Sequence, residues 1–318
     1  MPPGVGDGRA RFREIWQAVA AARPNLPDAR PAAAALRRFA GEGAGEGRPV
    51  ALGPPLVPER VLVVGGIYGA CVAWLVRPFS DALRHLARLG WRVGEIPIEP
   101  RSSSARNARL IQDHLQGLGL DPDERVVLVG YSKGLCDIME ATALPGGLPP
   151  GVRAVVGIGG SAWGSPVAAD LPRPLKALLD RLALPGCPPG DGGGIDSLLP
   201  ERRRAWLAGH PLPAAIGWFS LVAVPTPPRL SRVLVPSHRR LARIDPLNDG
   251  QMIASDAMIP ASTLLGVLDA DHWALALPIA RNESLAASAI AAGLVDENAF
   301  PREVMLESVL RYVGEALG

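Results

Sequence analysis

The sequence predicts an α/β fold, in which a mostly parallel central sheet is flanked by helices. Three observations lead to this prediction: near-continuous runs of Val, Ile and Leu, helical patterns between most of these runs, and a length of 318 residues, which suits one α/β domain with insertions. The runs predict strands at residues 60–66, 91–98, 125–130, 153–160, 216–224 and 262–268.

Two amphipathic segments lie between the first three predicted strands. Residues 78–90 read PFSDALRHLARLG, and residues 104–119 read SARNARLIQDHLQGLG. Apolar residues three and four positions apart are typical of a helix with one buried face. Helices between successive strands allow those strands to run parallel.

The first fifty residues precede the predicted sheet, and we expect them to form an N-terminal helical appendage (residues 1–50). Phe12, Ile15, Trp16 and Val19 are spaced as one apolar stripe on a helix. Such a stripe favours packing against the main domain over binding to a membrane or a partner. A second, alanine-rich helix is expected before the glycine-rich linker GEGAGEG.

The main domain is expected to span residues 51–318. Within it, residues 166–212 are rich in proline and glycine and interrupt the alternation of strands and helices. Long irregular insertions of this kind are usually functional or disordered, so we expect a cap or lid at 166–212. A second irregular stretch covers about residues 225–248.

Composition and charge exclude several classes of function. The formal net charge is +2, which implies no strong attraction to nucleic acid or to an anionic membrane. The longest uncharged run, residues 61–76, contains three glycines and is shorter than the roughly 20 apolar residues of a membrane span. Neither a dinucleotide fingerprint nor a phosphate-binding glycine loop with its lysine is present, so we expect chemistry without a cofactor.

The cysteines and the N-terminus predict a cytoplasmic protein. Cys71, Cys136 and Cys187 lack metal-ligand spacing, and a disulfide framework is not expected, although one pair can form. The N-terminal residues contain no apolar segment of the kind that a secretory signal requires.

The segment Gly130-Tyr131-Ser132-Lys133-Gly134 matches the pattern G-x-S-x-G. A predicted strand precedes it and a helical pattern follows it, which is the context that this turn requires. The tight turn projects the serine hydroxyl away from the backbone, so Ser132 is the candidate nucleophile. Ser161, in GIGGSAWG, lacks the second glycine and is the weaker candidate.

A serine nucleophile needs a general base within hydrogen-bonding distance. His272 follows the last predicted strand, in the chain order Ser, acid, His that this architecture favours. The other histidines lie in helical segments before Ser132 or in irregular stretches: His85, His114, His210 and His238. His272 is therefore the candidate base.

The acid has to orient the imidazole and stabilise its cation. Asp249 lies in the turn-forming Asn-Asp-Gly between Ser132 and His272, so it is the preferred candidate. Four other carboxylates compete with it: Asp245, Asp256, Asp269 and Asp271.

Two backbone N–H groups are needed to stabilise an oxyanion. Lys133, which follows the nucleophile at the start of a helix, is expected to supply one. The glycine-rich loop after the first core strand should supply the other, from Ile67 or, as second choice, Tyr68. The Lys133 ammonium group itself is expected to be solvated.

Together these motifs resemble the α/β-hydrolase superfamily, and within it the true lipases of bacteria and related serine esterases. VVGGIYG is similar to their oxyanion loop, with Gly65 in the place of a histidine, and GYSKG is similar to their nucleophile turn. GSPVAADL looks like the segment after the next strand, and NDG after IGWFSLV stands where those lipases carry the acid. The resemblance spans about residues 55–280.

The resemblance implies an α/β-hydrolase fold with a cap. It supports Ser132, Asp249 and His272 as a catalytic triad, with Ile67 and Lys133 as amide donors. The implied activity is hydrolysis of a carboxylic ester with an apolar acyl group, through an acyl-enzyme, on a small-molecule ester or lipid, without a metal or cofactor. The alternatives are a thioesterase or acyltransferase with the same triad, and a non-catalytic binding protein.

Overall fold

The structure is a computed structural model. It describes residues 2–55, 59–67, 77–120, 123–172, 176, 187, 190–281 and 299–318.

A single sheet of eight strands forms the centre of the described structure. In chain order the strands are β1 (Gly6–Asp7), β2 (Leu36–Arg37), β3 (Glu59–Val64), β4 (Arg92–Glu95), β5 (Arg125–Tyr131), β6 (Val152–Ile158), β7 (Gly217–Ala223) and β8 (Thr263–Leu268). They lie side by side in the order β1-β8-β7-β6-β5-β3-β4, and β2 pairs with β8. Only the β2–β8 pairing is antiparallel among the described strands. The six predicted strands correspond to β3–β8.

Helices cover both faces of the sheet. They are α1 (Arg9–Ala22), α2 (Ala32–Ala35), α3 (Ser80–Arg88), α4 (Ser104–Gly117), α5 (Lys133–Thr142), α6 (Pro166–Ala169), α7 (Pro200–Gly209), α8 (Val235–Leu241) and α9 (Arg302–Leu317). One face carries α1, α3 and α9, and the other carries α4 and α5. This two-layer covering makes the chain an α/β protein of the predicted class.

Strand β5 shows why the apolar runs are continuous. Val127 and Val129 join the core under α1, α3 and α9, whereas Val126 and Leu128 join the core under α4 and α5. Successive side chains point to opposite faces, and both faces are buried, so every position must be apolar.

The N-terminal segment is not a separate appendage. Strands β1 and β2 pair with the two ends of β8, at Thr263 and Leu264 and at Val267 and Leu268. The predicted stripe on α1 is fully buried and packs against β8 and α9. These residues therefore complete the sheet and the core of the main domain, and the alanine-rich helix that follows is only the four-residue α2.

The described parts of the 166–212 insertion are held by hydrogen bonds at both ends. Ser165 caps α6 and also donates to the carbonyl of Gln251. Near the other end, the Asp191 carboxylate accepts the Ser103 N–H, and Ser197 Oγ accepts the Ser104 N–H. Most of residues 173–189 lie outside the described residues, so the cap stays a prediction.

A buried hydrogen bond between His85 and Glu307 links α3 to α9. Burial opposes ionisation of Glu307, but its hydrogen bonds with His85 and Arg311 outweigh this effect and lower the pKa of Glu307. His85 Nε2 lies 2.6 Å from Glu307 Oε2. The contact is structural, because both residues lie in helices away from Ser132.

Cys187 is disulfide-bonded, whereas Cys136 is a free, buried thiol. Burial raises the pKa of Cys136 to about 11, and its Sγ donates to the carbonyl of Ser161. Cys71 lies outside the described residues. Disulfides persist mainly in oxidising compartments, so the bond counts against the cytoplasmic location, which stays a prediction. None of the described helices is long and apolar enough to span a membrane.

Candidate active site

Ser132 occupies the one-residue turn between β5 and α5, at the carboxyl end of the central strand. Its backbone has φ 54° and ψ −124°, a conformation that non-glycine residues rarely adopt. A Cβ at Gly134 would lie 2.2 Å from the Val64 carbonyl oxygen, and a Cβ at Gly130 would lie 2.7 Å from Leu135 Cα. The two glycines of the motif are therefore required by close backbone packing around a strained serine.

His272 lies in the turn after β8 and reaches Ser132. Its Nε2 is 3.0 Å from Ser132 Oγ, and its Nδ1 is 2.7 Å from Asp249 Oδ2. All three side chains are buried. An ionised carboxylate only accepts hydrogen bonds, so Nδ1 donates to Asp249 and Nε2 is free to accept the serine proton.

A tight turn holds the Asp249 carboxylate in place. Its second oxygen, Oδ1, accepts the N–H of Gln251 at 2.9 Å and the N–H of Met252 at 2.7 Å. The His272 N–H donates to the backbone carbonyl of Asp249. These donors stabilise a negative charge on Asp249 and leave one oxygen for the imidazole.

In the described part of the chain, none of the other four candidate acids forms a hydrogen bond with the His272 imidazole. Asp269 accepts two hydrogen bonds from Thr226. Asp271 accepts the N–H groups of Ser231, Trp273 and Ala274, and burial raises its pKa. The two remaining candidates are Asp245, which accepts the Leu247 N–H, and Asp256, whose pKa burial raises. The structure thus brings Ser132, His272 and Asp249 together as expected.

Tyr131 and Gly159 also contact this group, although the sequence motifs did not single them out. The Tyr131 ring stacks on His272 with centroids 5.1 Å apart, and its hydroxyl donates to the His272 carbonyl at 2.8 Å. Gly159 has φ +52°, and a Cβ there would lie 2.8 Å from Leu275 Cδ1 and 3.4 Å from His272 Nδ1. Their positions, in the motif and after β6, are the only sequence signal for these roles.

The predicted oxyanion donors flank Ser132. A Cβ at Gly66 would lie 3.4 Å from Ser132 Oγ, so the loop that leads to Ile67 passes directly beside Ser132. As the first residue of α5, Lys133 has an N–H without an acceptor inside the helix. The roles of Ile67 and Lys133 stay a prediction, and Tyr68 lies outside the described residues.

The Lys133 side chain is not solvated, so that expectation is wrong. The side chain is fully buried, with Nζ 2.6 Å from Asp137 Oδ1. Asp137 is also fully buried, and its Oδ2 accepts a hydrogen bond from Asn107 Nδ2 at 2.8 Å. The reason is that α4 packs over α5, which leaves the ion pair between the two helices.

A cavity of about 310 Å³ opens beside the glycine loop, between the carboxyl ends of β3 and β4. Most of its lining is apolar, with one arginine and one glutamate. The lining residues are Val63, Gly65, Gly66, Arg77, Pro78, Glu95, Ile96, Pro97, Ile98 and Pro100. No group of three or more potential metal ligands is present in the described part of the chain.

Several solved structures are similar to this chain as a whole. The metagenomic carboxyl esterase MGS0156 is 36% identical, with a TM-score of 0.92, over 98% of this chain and 93% of that chain. The mature lipase BlEst2 of Bacillus licheniformis is 21% identical, with a TM-score of 0.55, over 71% and 89% of the two chains. EstA from Clostridium botulinum is 12% identical, with a TM-score of 0.52, over 82% and 89%.

No protein-family model matches the sequence, and no curated protein does. The two more distant structures show the shared fold alone. The identity to the carboxyl esterase and its nearly complete coverage establish more than the fold. The chain belongs to the carboxyl esterases of the α/β-hydrolase superfamily and is a carboxylic-ester hydrolase.

Proposed function

We propose that the protein hydrolyses carboxylic esters with an apolar acyl group, through an acyl-enzyme formed on Ser132. The observation that supports this proposal is the buried chain of two hydrogen bonds, 3.0 Å from Ser132 Oγ to His272 Nε2 and 2.7 Å from His272 Nδ1 to Asp249. These two hydrogen bonds connect a nucleophile, a base and an orienting acid in series.

In the first half of the reaction, Ser132 Oγ attacks the ester carbonyl carbon while its proton moves to His272 Nε2. Asp249 stabilises the imidazolium, and its two backbone donors hold the carboxylate in position. The carbonyl oxygen becomes an oxyanion, which the N–H groups of Ile67 and Lys133 stabilise. The intermediate collapses when His272 returns the proton to the leaving alkoxide, and the alcohol departs.

The second half repeats these steps with water. His272 removes a proton from a water molecule, and the resulting hydroxide attacks the acyl carbon on Ser132. The same two N–H groups stabilise the second oxyanion. When this intermediate collapses, the proton on His272 passes to Ser132 Oγ, the carboxylic acid is released, and the triad returns to its starting state.

The cavity beside Gly65 and Gly66 supports an apolar group on the substrate. It adjoins the loop that passes Ser132, and prolines and isoleucines dominate its lining. A hydrocarbon chain that leaves water for such a surface is stabilised by about 0.8 kcal/mol per buried CH₂ group. We therefore expect kcat/KM to rise with acyl-chain length until the cavity is filled.

Hydrolysis of p-nitrophenyl esters from acetate to palmitate tests this function. Wild type is compared with Ser132→Ala and with Ser161→Ala as the matched control. The Ser161 hydroxyl is also buried, but its one hydrogen-bond partner among the described residues is the Met252 sulfur, at 3.4 Å. We expect Ser132→Ala to lower kcat by at least about 10⁴-fold and Ser161→Ala to lower it by less than about tenfold.

Two results would contradict the proposed function. In one, a folded Ser132→Ala variant retains most of the wild-type rate. In the other, wild type cleaves none of these esters but cleaves acyl thioesters. Mass spectrometry after treatment with an organophosphonate gives an independent readout, because the reagent should add once per chain, at Ser132.

A further inference from the structure

The connection from β7 to the Asp249 turn carries an unusual surface. We call residues 227–247 the basic arm. It contains two short 3₁₀ turns, Pro227–Arg229 and Arg232–Leu234, and helix α8. In the described part of the chain, the only large hydrophobic residues that are exposed all lie on this arm: Val233, Ile244 and Leu247, at 50%, 65% and 37%.

Arginines surround these apolar side chains. The arm contains five arginines and one acidic residue, Asp245; the arginines are Arg229, Arg232, Arg239, Arg240 and Arg243. Arg240 pairs with Asp170, the residue that follows α6. Arg239 and Arg243 are exposed and form no ion pair with any residue that the structure describes.

The arm exposes apolar and basic side chains close together in the sequence, and we call these exposed side chains its outward face. Val233, Arg239, Arg243 and Ile244 are exposed, whereas Leu241 is buried. In the sequence, apolar residues stand at both ends of the segment from Val233 to Ile244, and Arg239, Arg240 and Arg243 stand between them.

The inward face of the arm supports the catalytic turns. Leu234 is buried, and a Cβ at Gly250 would lie 3.1 Å from Leu234 Cβ. The Ser231 N–H donates to the carboxylate of Asp271, which precedes His272. Asn248 donates to backbone carbonyls of the arm on the other side. The arm thus contacts residues that adjoin Asp249 and His272 in the sequence.

We propose that the outward face of the basic arm docks on an anionic lipid surface. Exposed aliphatic side chains lose contact with water when they enter the headgroup region, and arginines beside them are attracted to acidic headgroups. The formal net charge of the whole chain is only +2, but positive charge is concentrated on the arm. Nucleic acid suits the face less well, because unpaired strands are bound by aromatic side chains, and the exposed apolar residues here are aliphatic.

Vesicle sedimentation measures this docking without catalysis. Ser132→Ala protein is mixed with sucrose-loaded vesicles of equimolar phosphatidylglycerol and phosphatidylcholine, or of phosphatidylcholine alone. We expect binding to the anionic vesicles and little binding to the neutral ones. Each arginine near the surface contributes about fivefold to the partition coefficient, so Arg239→Gln with Arg243→Gln should lower it by about 30-fold. Ile244→Ser should lower it by about tenfold, through lost apolar burial.

Arg84 and Arg88 provide a matched control. They are exposed on α3, have the same four-residue spacing, and lie beside β4 at the other edge of the sheet from β8. Arg84→Gln with Arg88→Gln changes the net charge equally and should change the partition coefficient by less than about twofold. In a Ser132 background, the arm variants should hydrolyse p-nitrophenyl acetate at the wild-type rate, so a failure of docking is distinguishable from a failure of the proposed ester hydrolysis.

Three outcomes would overturn the proposal. One is the absence of binding to anionic vesicles. Another is an equal loss of binding from the α3 pair, which would mean that net charge alone is responsible. The third is binding that Ile244→Ser leaves unchanged and that an oligonucleotide of equal charge displaces, which would identify a general polyanion site.

Discussion

The buried Lys133–Asp137 pair predicts a large and specific loss of stability when one partner is removed. Both side chains are fully buried, and their charged atoms are 2.6 Å apart. In Lys133→Met, the Asp137 carboxylate keeps only the hydrogen bond from Asn107, at 2.8 Å. An uncompensated buried charge of this kind costs about 3–5 kcal/mol, so we expect the free energy of unfolding to fall by that amount.

The companion variant removes both charges. In Lys133→Met with Asp137→Leu, the Asn107 amide still donates to the Glu99 carbonyl, at 3.0 Å. No buried charge is then left unpaired, so the double variant should regain stability to within about 1–2 kcal/mol of wild type. Urea denaturation, analysed with one slope m for all three proteins, measures the free energies of unfolding of wild type and the two variants.

Measurements of activity distinguish the role of the Lys133 side chain from that of its backbone N–H. The proposed mechanism uses only the Lys133 N–H, so folded Lys133→Met should keep kcat/KM for p-nitrophenyl acetate within about threefold of wild type. The reasoning is refuted if Lys133→Met loses less than about 1 kcal/mol. It is also refuted if the double variant is no more stable than the single one.

Three further variants test other parts of the structure. Asp249→Asn should lower kcat by about 10⁴-fold and Asp271→Asn by less than about 100-fold, measured with p-nitrophenyl acetate; similar losses would contradict the choice of acid. Gly159→Ala should lower kcat at least about tenfold, because its Cβ would crowd Leu275 and the His272 imidazole. Gly43→Ala is the control and should leave kcat unchanged, because a Cβ there would have no atom within 4 Å. The pKa of Glu307 is lowered in the folded state. Its ionised carboxylate therefore contributes fully to the free energy of unfolding above the unfolded-state pKa of about 4.3, and this contribution is lost as the pH falls through the folded-state pKa. Glu307→Gln should therefore be less stable than wild type at pH 7, with a difference that shrinks in acid; a constant difference in urea midpoint from neutral to acid pH would contradict this.

The central strands and the hydrogen-bonded triad could be predicted from sequence because local patterns determine them. Strands buried on both faces require continuous apolar runs, as in β5 and β6. The turn at Ser132 requires small neighbours, and the glycines on either side satisfy that requirement within five residues. His272 and Asp249 follow from chain order and turn composition, so each assignment depends on short segments.

The remaining features depend on contacts between distant segments. Strands β1 and β2 are two residues long and have no pattern of their own; they form because β8 has an open edge. The burial of Lys133 depends on the packing of α4 over α5. The position of Gly159 depends on His272 and Leu275, more than a hundred residues later. No short window of sequence contains both partners of any of these contacts.

The position of α1 has a consequence for biosynthesis. Its buried side chains, including Phe12 and Trp16, pack against residues close to the other end of the chain, such as Phe300 and Tyr312. A ribosome adds about 5–20 residues per second, so on the order of 15–60 s pass before these partners emerge. During that interval the stripe on α1 lacks the part of its cover that Phe300 and α9 provide. The nascent chain therefore carries a partly uncovered apolar helix, and α1 is where a holding chaperone would bind.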